Sequence, residues 1–356
     1  MSIARALLTG SHHATAATPR GFVLRTPALS HYKDAETLLS AVNQQADSTV
    51  LLDADCLKEI DIDGRIGGSD FFLSKAAFGD LCHFTNTPVS FIKSLAEEDE
   101  TLALDVVASR VKSRFNANSR RLVLNTTERR VEGIVGAATY SPLRNKEVVE
   151  YVLGASSDLV VGGGWLEGPN MRLTAVDDIN RVEVQKGDIV RFGVEACNAI
   201  NGDGSATVTE YNERLVCTNG MRRTERGAIQ RILHRGDVEM LTMKAVVKSV
   251  SKATSLLPLM QQSAKRYLCA ADVLQMRRFV SDTKNGGGPT LEKLMLEGAV
   301  KTAQQFGRDD EHVVAWDFVN GITEAAHDVK SLERRAAIEG LAYATLLRFG
   351  VGAGVE

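Results

Sequence analysis

The chain has 356 residues, 44% of them hydrophobic and 24% charged, with a formal net charge of −3. That length supports a core without covalent staples, and the composition is ordinary for a globular protein. The charge balance excludes a polybasic coat for nucleic acid, so any anion site has to come from local clustering of cations.

In chain order, residues 1–30 begin MSIARALLTGSHHATAATPRG and hold no long apolar run. They are expected as a mobile arm; a transit peptide, which is also Arg-bearing and poor in acids, is the other reading. Residues 31–117 are expected to be mainly helical. Residues 35–45 have helical spacing, and 49–63 alternate weakly, as one or two short strands would. Ser74 can cap KAAFGDLCHF, Pro88 stands early in VSFIKSLAEE, and a third helix is predicted over 100–113.

Residues 118–236 are expected as the sheet core. Strands are predicted over 120–126 and 131–139 about a turn at 128–130, followed by the loop YSPLRN and a short helix over 146–155. Further strands are predicted over 159–166, 171–177, 189–200 and 205–217, the last two joined through NGDG, a hairpin signal. Val190, Phe192, Val194 and Ala196 share one strand face and Arg191 and Glu195 the other, which predicts one buried and one solvated face. From Gly220 to about Arg235 a helical segment is expected. Residues 237–349 are expected to be helical, with Asp237 as a cap, a break at GGGP, and then EKLMLEGAVKTAQQF, VAWDFVNGITEAAHDV and LERRAAIEGLAYATLLRF. Residues 350–356 read as a frayed tail. The fold class is α+β: a central twisted antiparallel sheet with an inserted helix, flanked by N-terminal and C-terminal helical regions.

No catalytic or metal motif is legible. The five cysteines, Cys56, Cys82, Cys197, Cys217 and Cys269, form no CxxC pair, which argues for a reduced compartment and against a zinc knuckle. Cys217 has no neighbouring base and reads as a buried strand residue. With a turn between Gly202 and Asp203, Cys197 falls opposite about Val208 rather than Cys217. Gly162 to Gly164 lack the spacing of a phosphate loop. Asp309, Asp310, Glu311 and His312 read as a helix N-terminus. Asn320, Thr323 and Glu324 either pair across an interface or form a buried polar contact. No cofactor is expected, and no stretch is apolar enough to span a bilayer.

The order of these landmarks resembles that of one family. A strand pair leads to Tyr140, Pro142 and Asn145 in a Tyr-x-Pro-x-x-Asn loop before a helix. VVGGGWLEG follows, then a hairpin from Asn198 to Ser205, then Arg214, Cys217 and Asn219 in NERLVCTNGM, then Asn320 to Glu324. The chain is similar in this to the phage/plasmid-like family known as domain of unknown function 932, over about residues 73–349. NGM replaces the more usual NTL-like ending, and the N-terminal arm has no counterpart. The resemblance implies a phage, prophage or plasmid origin and no established activity. The β-β-α-β-β-β-α order also resembles, in topology alone, the single-strand annealing proteins of the Red-beta and Erf type.

Arginines cluster around the expected sheet. Arg110, Lys112, Arg114, Arg120 and Arg121 lead into it; Arg129 and Arg130 lie in a turn, Arg144 in the following loop; Arg214, Arg222, Arg223, Arg226, Arg231 and Arg235 accompany its end. On a helix, Arg222 with Arg226 and Arg231 with Arg235 would each share a face. With Tyr140, Trp165 or Tyr211 as stacking faces, such a strip suits a single strand of nucleic acid. Each arginine taken alone reads as a solvated residue paired with acids such as Glu213 and Glu225. The expectation is a non-enzymatic, homo-oligomeric protein of the bacterial cytoplasm that binds single-stranded DNA, with no membrane partner. The alternative is a protein-interaction or structural component of a mobile element.

Overall fold

The computed structural model describes residues 29–54, 72–215, 219–222, 229–284, 287–309, 312–327, 329 and 331–350. Strand β1 (Leu29–Tyr32) precedes helix α1 (Ala35–Ser48), whose start is fixed by the Asp34 carboxylate accepting from the Thr37 N–H at 2.8 Å. Leu38 and Val42, one turn apart, are its buried face. Strands β2 (Thr49–Asp53) and β3 (Phe72–Leu73) follow, then helices α2 (Lys75–Phe84), α3 (Val89–Glu98) and α4 (Glu100–Arg114). The Ser74 cap is present, its hydroxyl accepting from Ala77 N–H at 3.0 Å.

Strands β4 (Arg120–Asn125) and β5 (Arg130–Gly136) join β2 and β3 in a four-stranded sheet of order β2-β4-β5-β3, with β3 parallel to β5. Helices α2, α3 and α4 cover it through Phe78, Leu81, Ile92 and Val107, packed on Leu122, Leu124 and Ile134. The predicted single sheet is therefore two. The pair before the inserted helix and the strands after it lie in different sheets, which departs from the one-sheet order expected by topology.

Helix α5 (Asn145–Gly154) leads to the second sheet: β6 (Leu159–Glu167), β7 (Asn170–Gln185), β8 (Asp188–Ala199), β9 (Ala206–Arg214), β10 (Asn219–Arg222) and β11 (Gln230–Ile232). Its order is β1-β6-β7-β8-β9-β10, with β11 also paired to β9, and every pairing is antiparallel. Strand β1, which lies where the arm was expected to give way to a helical region, is its edge. Strand β7 runs well past the predicted end at 177, across an irregularity between Val176 and Arg181. The NGDG turn forms as expected, with Gly202 at φ +80°. Its register sets Cys197 opposite Thr207 and Ala196 opposite Val208, one residue from the expected pairing.

The remaining helices are α6 (Val238–Lys252), α7 (Leu257–Ser263), α8 (Ala270–Asp282), α9 (Pro289–Gln305), α10 (Ala315–His327) and α11 (Leu332–Phe349). Helices α7 and α8 fall in the region expected to be helical, without bounds of their own in the sequence; α8 buries only Met276 and Val280, too sparse a stripe to stand out. Asp309 and His312 precede α10, with His312 Nδ1 2.5 Å from the Asp309 carboxylate; Asp310 and Glu311, the rest of that run, lie outside the described residues. Over the β7–β9 face that carries Leu173, Val194 and Val208, the cover is α1, α5 and α6. The C-terminal helices pack on Val190, Phe192 and Met221. Gly298 and Gly321 bring α9 and α10 together: a Cβ on Gly321 would lie 2.3 Å from the Met295 carbonyl oxygen.

The opposite face of the large sheet is not solvated, against expectation. Glu195 is 1% exposed, and Arg191 is half-buried. Helix α11 closes over this face and supplies a carboxylate. Arg172 donates to Glu195 and Glu339, and Arg335 donates to the other oxygen of Glu339 at 3.2 Å. Charges can be buried here because each is met by an opposite one.

Candidate nucleic-acid interface

Of the arginines singled out in the sequence, Arg214 serves the large sheet from inside, while Arg120 and Arg130 are partly buried on the small sheet. Arg214 is 4% exposed, with its Nε 2.6 Å from Asp188 Oδ1, and Trp316 Nε1 donates to the other oxygen of Asp188 at 2.8 Å. Arg130 is held by Glu128 and Glu132, each at 2.7 Å. Arg120 lies over the Phe84 ring, 3.8 Å from its centroid. Arg121, Arg129 and Arg144 are exposed, on β4, in the β4–β5 turn and at the cap of α5. Arg222 lies in β10 opposite Tyr211, not in a helix. That short segment satisfies its backbone on the edge of β9 and turns Met221 into the core, so the 222/226 helical spacing does not arise at Arg222. Arg223, Arg226 and Cys217 lie outside the described residues.

The expected stacking faces are occupied. Trp165 is 6% exposed, stacked on His31 at 4.9 Å between ring centroids, with Arg172 and Arg335 within 5.2 Å of its ring. Tyr211 is buried. Tyr140 is half-buried, stacks on His234 at 5.4 Å, and donates its hydroxyl to the Ile200 carbonyl at 2.7 Å. Burial pushes the Tyr140 phenol upward and holds the His234 imidazole below its usual value.

The polar residues of the quoted motifs meet one another inside the fold. Asn145 of the Tyr-x-Pro-x-x-Asn loop accepts from Asn198 Nδ2 at 2.9 Å, and its own amide donates to Gln45 and Pro169. Asn212 and Arg214 line the same small cavity as Asn320 and Thr323. Thr323 donates to the Asn320 carbonyl at 2.9 Å, and Glu324 pairs with Lys301. Asn145, Asn198, Asn212, Arg214, Asn320 and Thr323 are buried, while Glu324 lies partly exposed.

A cationic surface lies elsewhere, between β11 and α6. Arg231, Leu233, Arg235, Leu241, Lys244 and Lys248 line a groove of about 460 Å³ together with Gln230, Ile232 and Ala245, and no carboxylate is among the lining residues. Strand β11 turns Ile232 into the core and leaves Arg231 exposed. Helix α6 buries Val238, Ala245 and Val246 and points Lys244 and Lys248, one turn apart, outward. None of the four cations makes an ion pair among the described residues. Lys248 Nζ donates to Gln230 Oε1 at 3.2 Å, across the groove. The Ser141 N–H donates to the His234 carbonyl at 2.9 Å, which ties the Tyr140–Arg144 loop to the groove's rim. Arg231 lies in strand β11, so the helical pairing of Arg231 with Arg235 expected from their spacing does not form. The missing signal was Lys244 and Lys248, spaced as a surface pair within the α6 sequence.

Among the described residues no group of His, Cys, Asp and Glu is arranged to hold a metal ion, and no helix is long and apolar enough to cross a membrane. Cys82, Cys197 and Cys269 are free thiols, and burial raises that of Cys82 to about 11.

The family described as Domain of unknown function (DUF932) matches residues 133–342, more than half of the chain. The match begins within β5, so it takes in the large sheet from β6 onward and the C-terminal helices, a narrower span than 73–349. No curated protein and no solved structure matches. The chain belongs to that family.

Proposed function

We propose that this member of the domain of unknown function 932 family binds single-stranded nucleic acid in the groove between β11 and α6, without chemistry of its own. One observation carries the reading: Arg231, Arg235, Lys244 and Lys248 converge on one groove with no carboxylate in its lining. Phosphates supply the charge such a groove attracts, and counterion release supplies the driving force. Leu233 and Leu241, both exposed large apolar side chains, offer surface to unstacked bases. Binding or annealing of DNA single strands during recombination or repair of a phage or plasmid, in the cytoplasm of its bacterial host, is the process that fits, with several copies along one strand. A mobility-shift titration with a short labelled single strand, beside the same sequence as duplex, tests it. Retardation of the single strand at low salt is expected; folded protein that retards neither substrate overturns the proposal.

A second reading rests on a different feature of α6. Met240, Met243 and Val247 lie exposed at helical spacing. A protein partner, as for a host-defence inhibitor or an assembly scaffold, would cover such a stripe. Nuclease-treated protein that still forms a stoichiometric complex, lost in Met243→Glu/Val247→Glu, favours that reading.

A further inference from the structure

Two of the quoted motifs leave amide groups unpaired in one internal cavity. The cavity lies between β9 and α10 and has a volume of about 10 Å³. Met221, Met260 and Trp316 give it apolar walls, and Asn212, Asn320 and Thr323 give it polar ones. Asn212 and Asn320 are each 2% exposed. Neither the Oδ1 nor the Nδ2 of Asn212 has a hydrogen-bond partner, and nor does the Nδ2 of Asn320. Buried amides are seldom left so, and each orphan points to something that pairs with it.

We propose that this cavity is a built hydration site for a single water molecule. A buried water requires room for about one water-sized sphere and two to four polar partners, and the cavity offers both. The water accepts from Asn320 Nδ2, donates one proton to Asn212 Oδ1 and turns the other to Thr323 Oγ1; it pairs two of the three orphaned amide atoms and leaves Asn212 Nδ2. That hydroxyl is free to accept, because its own proton goes to the Asn320 carbonyl at 2.9 Å. Arg214, also on the wall, has its Nε 2.6 Å from Asp188 Oδ1. A space of this size with these polar partners suits a water. The consequence is a joint: the water bridges the strand that carries Asn212 and the helix that carries Asn320.

The test compares melting temperatures of Asn212→Leu, Asn320→Leu and the double variant with the parent. With water in place, each single substitution strands the other amide and lowers the melting temperature, and the second substitution costs less in the variant than in the parent. In a dry cavity each leucine replaces an orphaned amide with an apolar group of similar size. Both single variants then melt higher and the effects add, which overturns the proposal. Should a variant fail to fold, a crystal structure of the parent chain at a resolution that shows ordered water decides. A peak within hydrogen-bond reach of Asn212 and Asn320 is expected; an empty cavity, or a direct bond between the two amides, refutes it.

Discussion

Replacing Lys244 and Lys248 together by alanine changes the salt dependence of binding before it changes anything else. Four cations line the groove. If each neutralises one phosphate of a single strand, log K falls against log salt with a slope of about −2.8, at roughly 0.7 per phosphate. Raising salt fourfold then weakens binding about 50-fold in the parent chain. With two cations left the slope is about −1.4, and the same rise weakens binding only about 7-fold. Both lysines are exposed, and the one hydrogen bond lost is that of Lys248 to Gln230, so stability should move by no more than about 0.5 kcal/mol. Fluorescence anisotropy of a labelled single strand, titrated at four or five salt concentrations, reads the slope directly. A double variant with the parent slope refutes the placement of the phosphates in this groove, even if the protein binds DNA.

Three further outcomes concern the interior. Glu339→Ala leaves Arg172 with Glu195 alone in a buried site and should cost about 3 kcal/mol in urea unfolding, at the low end for a broken buried pair because one partner remains. Gly321→Ala drives a Cβ to 2.3 Å from the Met295 carbonyl oxygen, and the separation of α9 from α10 that follows should cost about 1–3 kcal/mol by the same assay. His234, buried beside Tyr140, has its pKa lowered by desolvation, so the unfolded chain takes up the proton first. Its contribution to stability is complete above the unfolded value of 6.5 and is lost as pH falls from there toward the lower folded value. Asp80 and Asp317, held at about 6 by burial, act in the opposite sense, so the readout is the difference in melting temperature between the parent and His234→Phe from pH 7 to 5. A difference that does not change with pH refutes it.

The hairpin of β8 and β9 was legible because two local signals agree: strict alternation of Val190, Phe192, Val194 and Ala196, and an Asp-Gly turn. The helix caps at Ser74 and Asp237 were legible for the same reason, since a cap and its helix are adjacent in sequence. What alternation does not carry is the identity of whatever covers the second face. Arg172 and Glu195 look like surface residues until Glu339 is brought onto them from a distant helix. The division into two sheets is likewise a matter of long-range pairing, because β2 and β3 find β4 and β5 across intervening helices. Arg231 sits in a strand of three residues, too short for periodicity to distinguish it from the end of a helix. The groove exists only once that strand lies beside α6, so half of its cations were visible in the sequence as a group and half were not.

The ion cluster that ties Arg172 to Glu339 also orders events in time. Its two halves are separated by 167 residues, and the β1 edge pairs with β6 across more than a hundred. Contacts this distant cost loop closure before they return anything, which places folding in the slow range for chains of such topology. On the ribosome the strands of the large sheet emerge well before α11 does. Until then Arg172 has Glu195 as its acid, and one whole face of the sheet, with Trp165 upon it, still lacks the helix that covers it. The largest sheet is therefore covered on this face only once α11 has been made, and that waiting interval is when the chain is most exposed to aggregation or to a chaperone.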